Sequence, residues 1–184
     1  MKIVDANILS AFVERWHPET SSFHMPFGEM TITLYDVACL LHIPMRGDLY
    51  DQPSGLSEEA TARLVVDLLG VSYDVAKAET TRNRGGYYRQ EGLYDLFKKH
   101  RQTGMFDCGA RASMMLLIGC TIFADKSFSL VDAKYLSLFR DLSNCGRFCW
   151  GVAALVTLYE YLGDGSMFTT KQLGGYATLL QVFL

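Results

Sequence analysis

Prolines and one glycine divide the first 44 residues into short segments, and this punctuation constrains the fold more than any other feature of the sequence. Pro18 disfavours helical geometry in the residue before it, so an N-terminal helix is predicted to end near Trp16. Pro26 and Gly28 are typical of a tight turn, and Pro44 ends a second helical segment. The pattern predicts a helix, a two-stranded hairpin and a second helix.

The two predicted strands flank the turn that contains Pro26. Ser22–Met25 and Met30–Leu34 alternate apolar and polar residues, as half-buried strands do. Thr33 is the predicted N-cap of the second helix, and Asp36 three residues later completes a capping-box pattern. Because an isolated two-stranded hairpin is marginal in water, it is expected to pack on the helices that flank it.

Length and composition favour one globular domain over residues 1–184. About half of the residues are apolar and the net charge is only −3, so a large core can form and wholesale disorder is excluded. This mild negative charge argues against a protein that coats nucleic acid through its overall field. The N-terminus does not read as a signal peptide, and five irregularly spaced cysteines favour a reduced, intracellular compartment.

The rest of the chain is predicted to be helical, with seven to nine helices in total. Ser57 and Gly70 have the positions of an N-cap and a C-cap of one strong helix. Residues 110–124 are apolar nearly all round, which predicts a helix buried on every side. Residues 82–89 are predicted to be a loop. The region near residues 80–90 is also a possible boundary between two halves of the domain. The expected fold class is mainly α: a compact multi-helix single domain with a small N-terminal β-hairpin.

Three blocks of sequence carry a family resemblance. They are VERWHPET running into FHMP (residues 13–26), GEMTITLYDVA with LLHIP (residues 28–44), and LIGCTIFADKS (residues 117–127). Together they resemble the plant mobile domain, the module of maintenance-of-meristems-like proteins that also occurs in plant retrotransposons. The residues assigned to its structural motif are Trp16, Pro18, Phe23, Pro26, Gly28, Asp36 and Trp150.

The sequence departs from the family pattern at three places. His42 stands where the family usually has glycine, and the tryptophan expected near residues 62–65 is missing. The C-terminal part of a full-length domain is expected to lie beyond Leu184.

The resemblance implies a non-enzymatic interaction module of a nuclear plant protein. It implies a role in transposon silencing, gene expression regulation and meristem maintenance, together with a PP7-type serine/threonine phosphatase-like partner. No cofactor and no membrane association are expected, and the oligomeric state stays open.

The family is often labelled aminotransferase-like, but the chemistry of that label is not found in these residues. It requires a Schiff-base lysine and a phosphate cradle on an α/β scaffold, whereas Gly85-Gly86 neither follows a strand nor opens a helix. An enzyme is therefore the last of the hypotheses.

A basic segment supports the alternative of direct DNA or RNA binding. Arginine and lysine bind phosphates, and tyrosine rings stack on bases. The candidate contact residues, for nucleic acid or for a protein partner, are Arg82, Arg84, Tyr87, Tyr88, Arg89, Lys98, Lys99 and Arg101. The plainer interpretation is a solvated loop followed by a helix whose C-terminal dipole favours cations.

Three further constellations favour structural interpretations. Cys145 and Cys149 lack the second close pair that a zinc site usually has. Residues 33–44 resemble the first helix and turn of a helix-turn-helix, but the segment after Pro44 is acidic and broken by Gly47 and Pro53, so it does not predict a recognition helix. No serine lies in the strained turn of a nucleophile elbow. Neither catalytic residues nor metal ligands are assigned.

Overall fold

The structure is a computed structural model that describes residues 6–49, 55–83, 85–127, 129–166 and 174–183. It confirms a mainly α fold with small antiparallel strands near the N-terminus. The α-helices are α1 (Ala6–Val13), α2 (Leu34–Leu41), α3 (Glu58–Leu69), α4 (Tyr73–Arg82), α5 (Gln90–Thr103), α6 (Phe106–Cys120), α7 (Trp150–Gly165) and α8 (Ala177–Phe183). The strands are β1 (Trp16–His17), β2 (Ser22–Met25), β3 (Gly28–Met30), β4 (Tyr87–Arg89) and β5 (Leu130–Asp132), and 3-10 helices span Ala133–Phe139 and Cys145–Arg147.

The chain divides into two compact units that do not follow chain order. The first unit comprises Met1–Asp48, Thr121–Lys126 and Cys149–Leu184, and the second comprises Leu49–Cys120 and Ser127–Phe148. Residues 80–90, the possible boundary, lie wholly within the second unit. The single-domain description of residues 1–184 stays a prediction.

The N-terminal sheet has three strands instead of the predicted two. Strand β2 pairs antiparallel with β1 through Trp16 and Phe23, and with β3 through Phe23 and Met30. The third strand arises because Pro18 biases the residue before it towards extended geometry, and His17 pairs with Ser22 in that geometry. Strand β3 ends at Met30, before the predicted Leu34, because the capping turn of α2 begins at Thr33.

Helix α2 has the predicted capping box. The Asp36 amide donates to Thr33 Oγ1 at 3.3 Å, and the Thr33 amide donates to Asp36 Oδ2 at 2.8 Å. The hydrogen bonds from Thr33 hold the pKa of the Asp36 carboxyl below its ordinary value. At the other end the C-cap His42 adopts a left-handed conformation with φ 51°. Glycine adopts this left-handed conformation without strain, which is consistent with the glycine that the family resemblance implies at this position.

Aromatic side chains join the sheet of the first unit to α7. The Trp16 ring lies 4.8 Å from the Phe23 ring and 5.0 Å from the Tyr159 ring, centroid to centroid. The Tyr159 hydroxyl donates to the Ile32 carbonyl at 2.6 Å and lies 2.7 Å from Thr31 Oγ1. Trp16, Phe23 and Ile32 are buried in the same cluster as leucines of α7 and α8. The hairpin is thus braced on helices, as its marginal intrinsic stability requires.

Helix α3 confirms both predicted caps in the second unit. Ser57 Oγ accepts from the Ala60 amide at 3.2 Å, and Gly70 ends the helix at φ 63°. Nearby, the ring of the buried His100 on α5 forms a hydrogen bond of 2.7 Å between its Nε2 and the Leu69 carbonyl. A ring nitrogen can bond to a carbonyl only by donating, so Nε2 carries a proton. This bond ties α5 to the C-terminal end of α3.

The second unit holds a two-stranded sheet, and its first strand, β4, lies in the segment predicted to be a loop. Tyr88 of β4 pairs with Val131 of β5, and Arg89 pairs with Leu130. Val131 is fully buried beneath α6, where Gly119 permits the helix to approach. A Cβ atom added at Gly119 would lie 2.2 Å from Val131 Cγ2. Only glycine therefore fits this crossing without displacement of β5.

Helix α6 differs from its prediction in position and in burial. It begins at Phe106 and ends at Cys120, whereas the sequence predicted a helix over 110–124. One side is buried through Ala112, Met115 and Ile118, but Leu117 is 63% exposed. The prediction that this helix is buried on every side was wrong. Apolar residues such as Leu117 also lie on the side of α6 that faces solvent.

Candidate interaction surfaces

The basic segment is partly used to hold the second unit together. Arg89 Nε donates to Glu79 Oε1 at 2.7 Å and Arg89 Nη2 donates to Glu79 Oε2 at 3.0 Å. Asn83 also donates to Glu79 Oε1, at 3.1 Å. Burial opposes ionisation of Glu79, but the hydrogen bonds and charge of Arg89 outweigh it and hold the pKa of this carboxyl below its ordinary value. Arg89 thus joins β4 to α4 and is only partly available to a ligand.

The two tyrosines of the segment are less exposed than rings that stack on bases would have to be. Tyr88 is 4% exposed, and burial raises its pKa to about 12. Its ring therefore offers no accessible face to a base, which corrects its place in the predicted surface. Tyr87 is half-buried and pairs with Asp132 in the small sheet.

The remaining predicted contact residues lie on exposed helix surfaces or outside the described residues. Arg82, Lys99 and Arg101 are exposed, and none of the three forms an ion pair within the part of the chain that the structure describes. Lys98 pairs with Asp95 at 2.9 Å and lies 4.4 Å from the centre of the Tyr94 ring. Arg84 lies outside the described residues. The accessible part of the basic segment is cationic but lacks the ring of Tyr88.

The family-motif residues hold structural positions in the first unit. Trp16 and Phe23 are buried, and Asp36 forms the capping box. Pro18 lies beside α7, 4.0 Å from the position of a Cβ at Gly163. The other three lie at a turn, a strand start and a helix start: Pro26 is in the turn between β2 and β3, Gly28 (φ 131°) begins β3, and Trp150 begins α7.

A polar array lies on the outer face of the three-stranded sheet. The His17 and His24 rings stack with centroids 3.6 Å apart, and His24 Nε2 lies 3.3 Å from Glu29 Oε1. Ser22 Oγ donates to Glu29 Oε2 at 3.1 Å. Within the described ranges, no group of three histidine, cysteine, aspartate or glutamate side chains has the geometry to hold a metal ion. The array is a hydrogen-bonded surface of the sheet.

An aromatic side chain protrudes from the tip of the hairpin. Phe27 is 79% exposed in the two-residue turn between the paired Met25 and Gly28. Tyr35 of α2 is 77% exposed in the same unit, and its hydrogen bond with Cys39 raises its pKa. Phe27 is not among the contact residues predicted from the sequence. Its signal was present, since an apolar residue inside a proline–glycine turn points away from the strands it connects.

These features define a mainly α domain with a braced N-terminal hairpin and exposed aromatic side chains. The family model described as plant mobile domain matches residues 1–184, and the chain belongs to that family. No helix among the described residues is long and apolar enough to cross a membrane.

Three relatives in Arabidopsis thaliana match nearly the whole chain. Protein MAIN-LIKE 1 is 39% identical over 95% of this chain and 34% of its own length. Protein MAINTENANCE OF MERISTEMS is 34% identical over 95% of this chain and 36% of its own length. A serine/threonine-protein phosphatase 7 long form homolog is 31% identical over 98% of this chain and 13% of its own length. The chain thus spans about a third of the first two relatives, and no solved structure gives a significant match.

Proposed function

We propose that this domain is a non-enzymatic protein-binding module of a nuclear plant protein that acts in transposon silencing, gene expression regulation and meristem maintenance. The observation that carries the proposal is Phe27, a 79% exposed aromatic residue at the tip of a braced hairpin. Membership of the plant mobile domain family and a relative named MAINTENANCE OF MERISTEMS support the meristem role.

Phe27 has the properties of an interface anchor. A phenylalanine ring buries about 150–250 Å² when it enters a pocket, and aromatic residues carry a large share of interface binding energy. The hairpin is held by Trp16, Phe23 and the hydroxyl of Tyr159, so little backbone order has to be gained on binding. A pre-organised anchor loses less entropy than a flexible one and binds more tightly for the same area.

The proposed partner is a PP7-type serine/threonine phosphatase-like protein. Support comes from the relative that is named as such a phosphatase homologue and that shares this domain with the chain. Proteins that carry the same domain are candidates for one assembly. Direct binding of DNA or RNA through Arg82, Lys99 and Arg101 is the competing hypothesis, and it predicts a different dependence on salt.

The experiment is a pull-down from plant nuclear extract with the tagged 184-residue chain, followed by titration of the recombinant phosphatase-like protein. We expect the phosphatase-like protein to be retained after nuclease treatment and at moderate salt. The Phe27→Ala variant is expected to weaken its binding by about tenfold to a hundredfold, since a hot-spot aromatic contributes about 2 kcal/mol or more.

Tyr94→Ala is the matched control, because Tyr94 is also an exposed aromatic residue but lies on α5 of the second unit. It should leave binding unchanged, and both variants should keep the thermal midpoint of the wild type. Recovery of nucleic acid alone, lost steeply as salt rises, would refute the proposal and assign the function to the basic residues.

A further inference from the structure

Four serine or threonine residues of the chain have a lysine or arginine three positions before them. The pairs are Lys77 with Thr80, Lys126 with Ser129, Lys134 with Ser137, and Arg140 with Ser143. A cation at this spacing is a charge pattern by which protein kinases select a substrate, because it pairs with carboxylates of the kinase. Such a kinase needs an exposed hydroxyl, an unpaired cation, and a segment that can become extended.

Three of the four pairs lack at least one of these properties in the folded chain. Thr80 is fully buried. Ser137 is half-buried, and its hydroxyl donates to a carbonyl of its own 3-10 helix at 2.7 Å. Ser129 is exposed, but Lys126 pairs with Asp164 at 3.1 Å. Only the pair of an arginine and a serine remains.

Arg140 presents a free cation on a fixed stretch of main chain. Arg140 and Ser143 are both exposed, and the Arg140 guanidinium forms no ion pair within the described residues. Arg111 Nε donates to the Phe139 carbonyl at 2.9 Å, and Arg111 Nη2 donates to the Arg140 carbonyl at 3.2 Å. The side chain of Arg140 can therefore enter an acidic pocket while its main chain stays in place.

The turn that holds Ser143 is closed by bonds among its own residues. The Ser143 amide and hydroxyl both donate to Asp141 Oδ1, at 3.0 and 2.6 Å. Asn144 donates to Asp141 from its side chain at 2.5 Å, and from its amide to the Asp141 carbonyl at 3.2 Å. All these partners lie within four residues, so the turn can extend without losing one of these bonds to a distant segment.

We propose that Ser143 is a phosphorylation site of a serine kinase that selects basic residues, with Arg140 as the residue that the kinase recognises. In this reaction a bond forms between Ser143 Oγ and the γ-phosphorus of ATP, and the bond from that phosphorus to the bridging oxygen of ADP breaks. The hydroxyl proton passes to a base of the kinase. Ser143 belongs to the second unit and Phe27 to the first, so this inference goes beyond the proposed function and does not depend on it.

Phosphorylation also opens the turn, because it replaces a donor to Asp141 with a negative charge. The hydrogen bonds from Ser143 hold the pKa of the Asp141 carboxyl below its ordinary value, so this carboxyl is charged at neutral pH. A phosphate at Ser143 places a charge of about −1.5 to −2 beside it. Like charges at this separation repel, and residues 141–144 lose their closed form.

Incubation of the folded 184-residue chain with ATP and the catalytic domain of a calcium-dependent protein kinase, a class that selects basic residues, tests the site. We expect peptide mass spectrometry to find phosphate at Ser143 and none at Ser129. Arg140→Gln should slow phosphorylation by about tenfold or more, because a charged hydrogen bond to the kinase is lost. Arg147→Gln is the matched control, since Arg147 is exposed in the same segment at a different spacing, and it should keep the rate within about twofold.

Two substitutions of the acceptor complete the test. Ser143→Ala should remove the phosphate, whereas Ser143→Thr should still accept it. All variants should keep the thermal midpoint of the wild type, which separates loss of the site from loss of folding. A folded wild type without phosphate at Ser143, phosphorylation only after heat unfolding, or an equal rate in Arg140→Gln would overturn the proposal.

Hydrogen exchange read by mass spectrometry tests the opening of the turn. Amides of residues 142–148 are expected to exchange at least about tenfold faster in the phosphorylated chain. Helix α3 is the internal control and should exchange at the same rate in both forms. Unchanged exchange over residues 142–148 would show that the turn stays closed and would overturn this consequence.

Discussion

Because α6 crosses β5 closely at Gly119, replacing this glycine with alanine should lower the stability of the protein, although Gly→Ala in a helix usually raises it. In a helix interior, Gly→Ala stabilises by about 1 kcal/mol. At Gly119 the new Cβ would lie 2.2 and 2.6 Å from the two Cγ atoms of the buried Val131. Overpacking of this kind costs about 1–3 kcal/mol and more where neighbours cannot move. We expect Gly119→Ala to destabilise the protein by about 2 kcal/mol net, a fall in thermal midpoint of about 4–8 °C.

Urea unfolding followed by circular dichroism measures this change, with Gly146→Ala as the matched control. A Cβ at Gly146 meets nothing within 4 Å, so that variant should stay within about 0.5 kcal/mol of wild type. Val131→Ala removes the two Cγ atoms, and the double variant should lose at least about 1 kcal/mol less than the sum of the single losses. A Gly119→Ala protein as stable as wild type, or additive losses in the double variant, would refute the proposed steric conflict.

Three other residues, Glu79, Tyr159 and His42, give predictions about the stability of the protein. The pKa of Glu79 is depressed in the folded state, so its contribution is present above about pH 4.5 and is lost as pH falls; Glu79→Gln should lower stability at pH 7 and flatten the acid limb of a pH–stability curve. Tyr159→Phe removes the hydroxyl that bonds to the Ile32 carbonyl and should cost about 1–2 kcal/mol in urea unfolding, with unchanged far-ultraviolet dichroism. His42→Gly should raise the thermal midpoint by about 1–3 °C, since glycine adopts φ 51° without strain; a fall would show that the His42 side chain makes a stabilising contact.

Local chemistry was sufficient to predict the elements whose ends are set by their own residues. Thr33 with Asp36, and Ser57 with Gly70, satisfy the free backbone groups at helix ends within a few residues. Such patterns act over one turn of chain and are therefore readable in sequence. The effect of Pro18 is also local: it correctly predicts the end of α1, but it also holds His17 extended, which builds β1.

Strand pairings between segments that are distant in the chain could not be predicted from the sequence in this way. Strand β4 is only Tyr87–Arg89, and its partner β5 is Leu130–Asp132. A three-residue strand has too few positions for an alternating pattern, and nothing near Tyr88 identifies Val131 as its neighbour. Helix α6 shows the same limit, because the residues of its exposed and buried sides are similarly apolar and only the packed structure distinguishes Leu117 from Ile118.

The accessibility of the candidate contact residues could not be predicted for a related reason. Residue type selected Tyr88 and Arg89, whereas their availability depends on Glu79 and on burial under non-local elements. The residue type of Phe27 does not by itself distinguish an exposed ring from a buried one. Exposure, which is decided by the fold, separates an aromatic anchor from a core residue of the same type.

The first unit is assembled from chain segments that are far apart in sequence, and this has a consequence for synthesis on the ribosome. Its buried cluster joins Phe23 and Val37, made early, to Leu158 and Leu180, made last. The whole second unit is translated in between. At about 5–20 residues per second, about 6–30 seconds pass between synthesis of the N-terminal hairpin and synthesis of the helices that support it. During that interval its apolar side chains are open to chaperones, and a chain that terminated ahead of α7 would lack the Tyr159 hydroxyl and Leu158 that cover them.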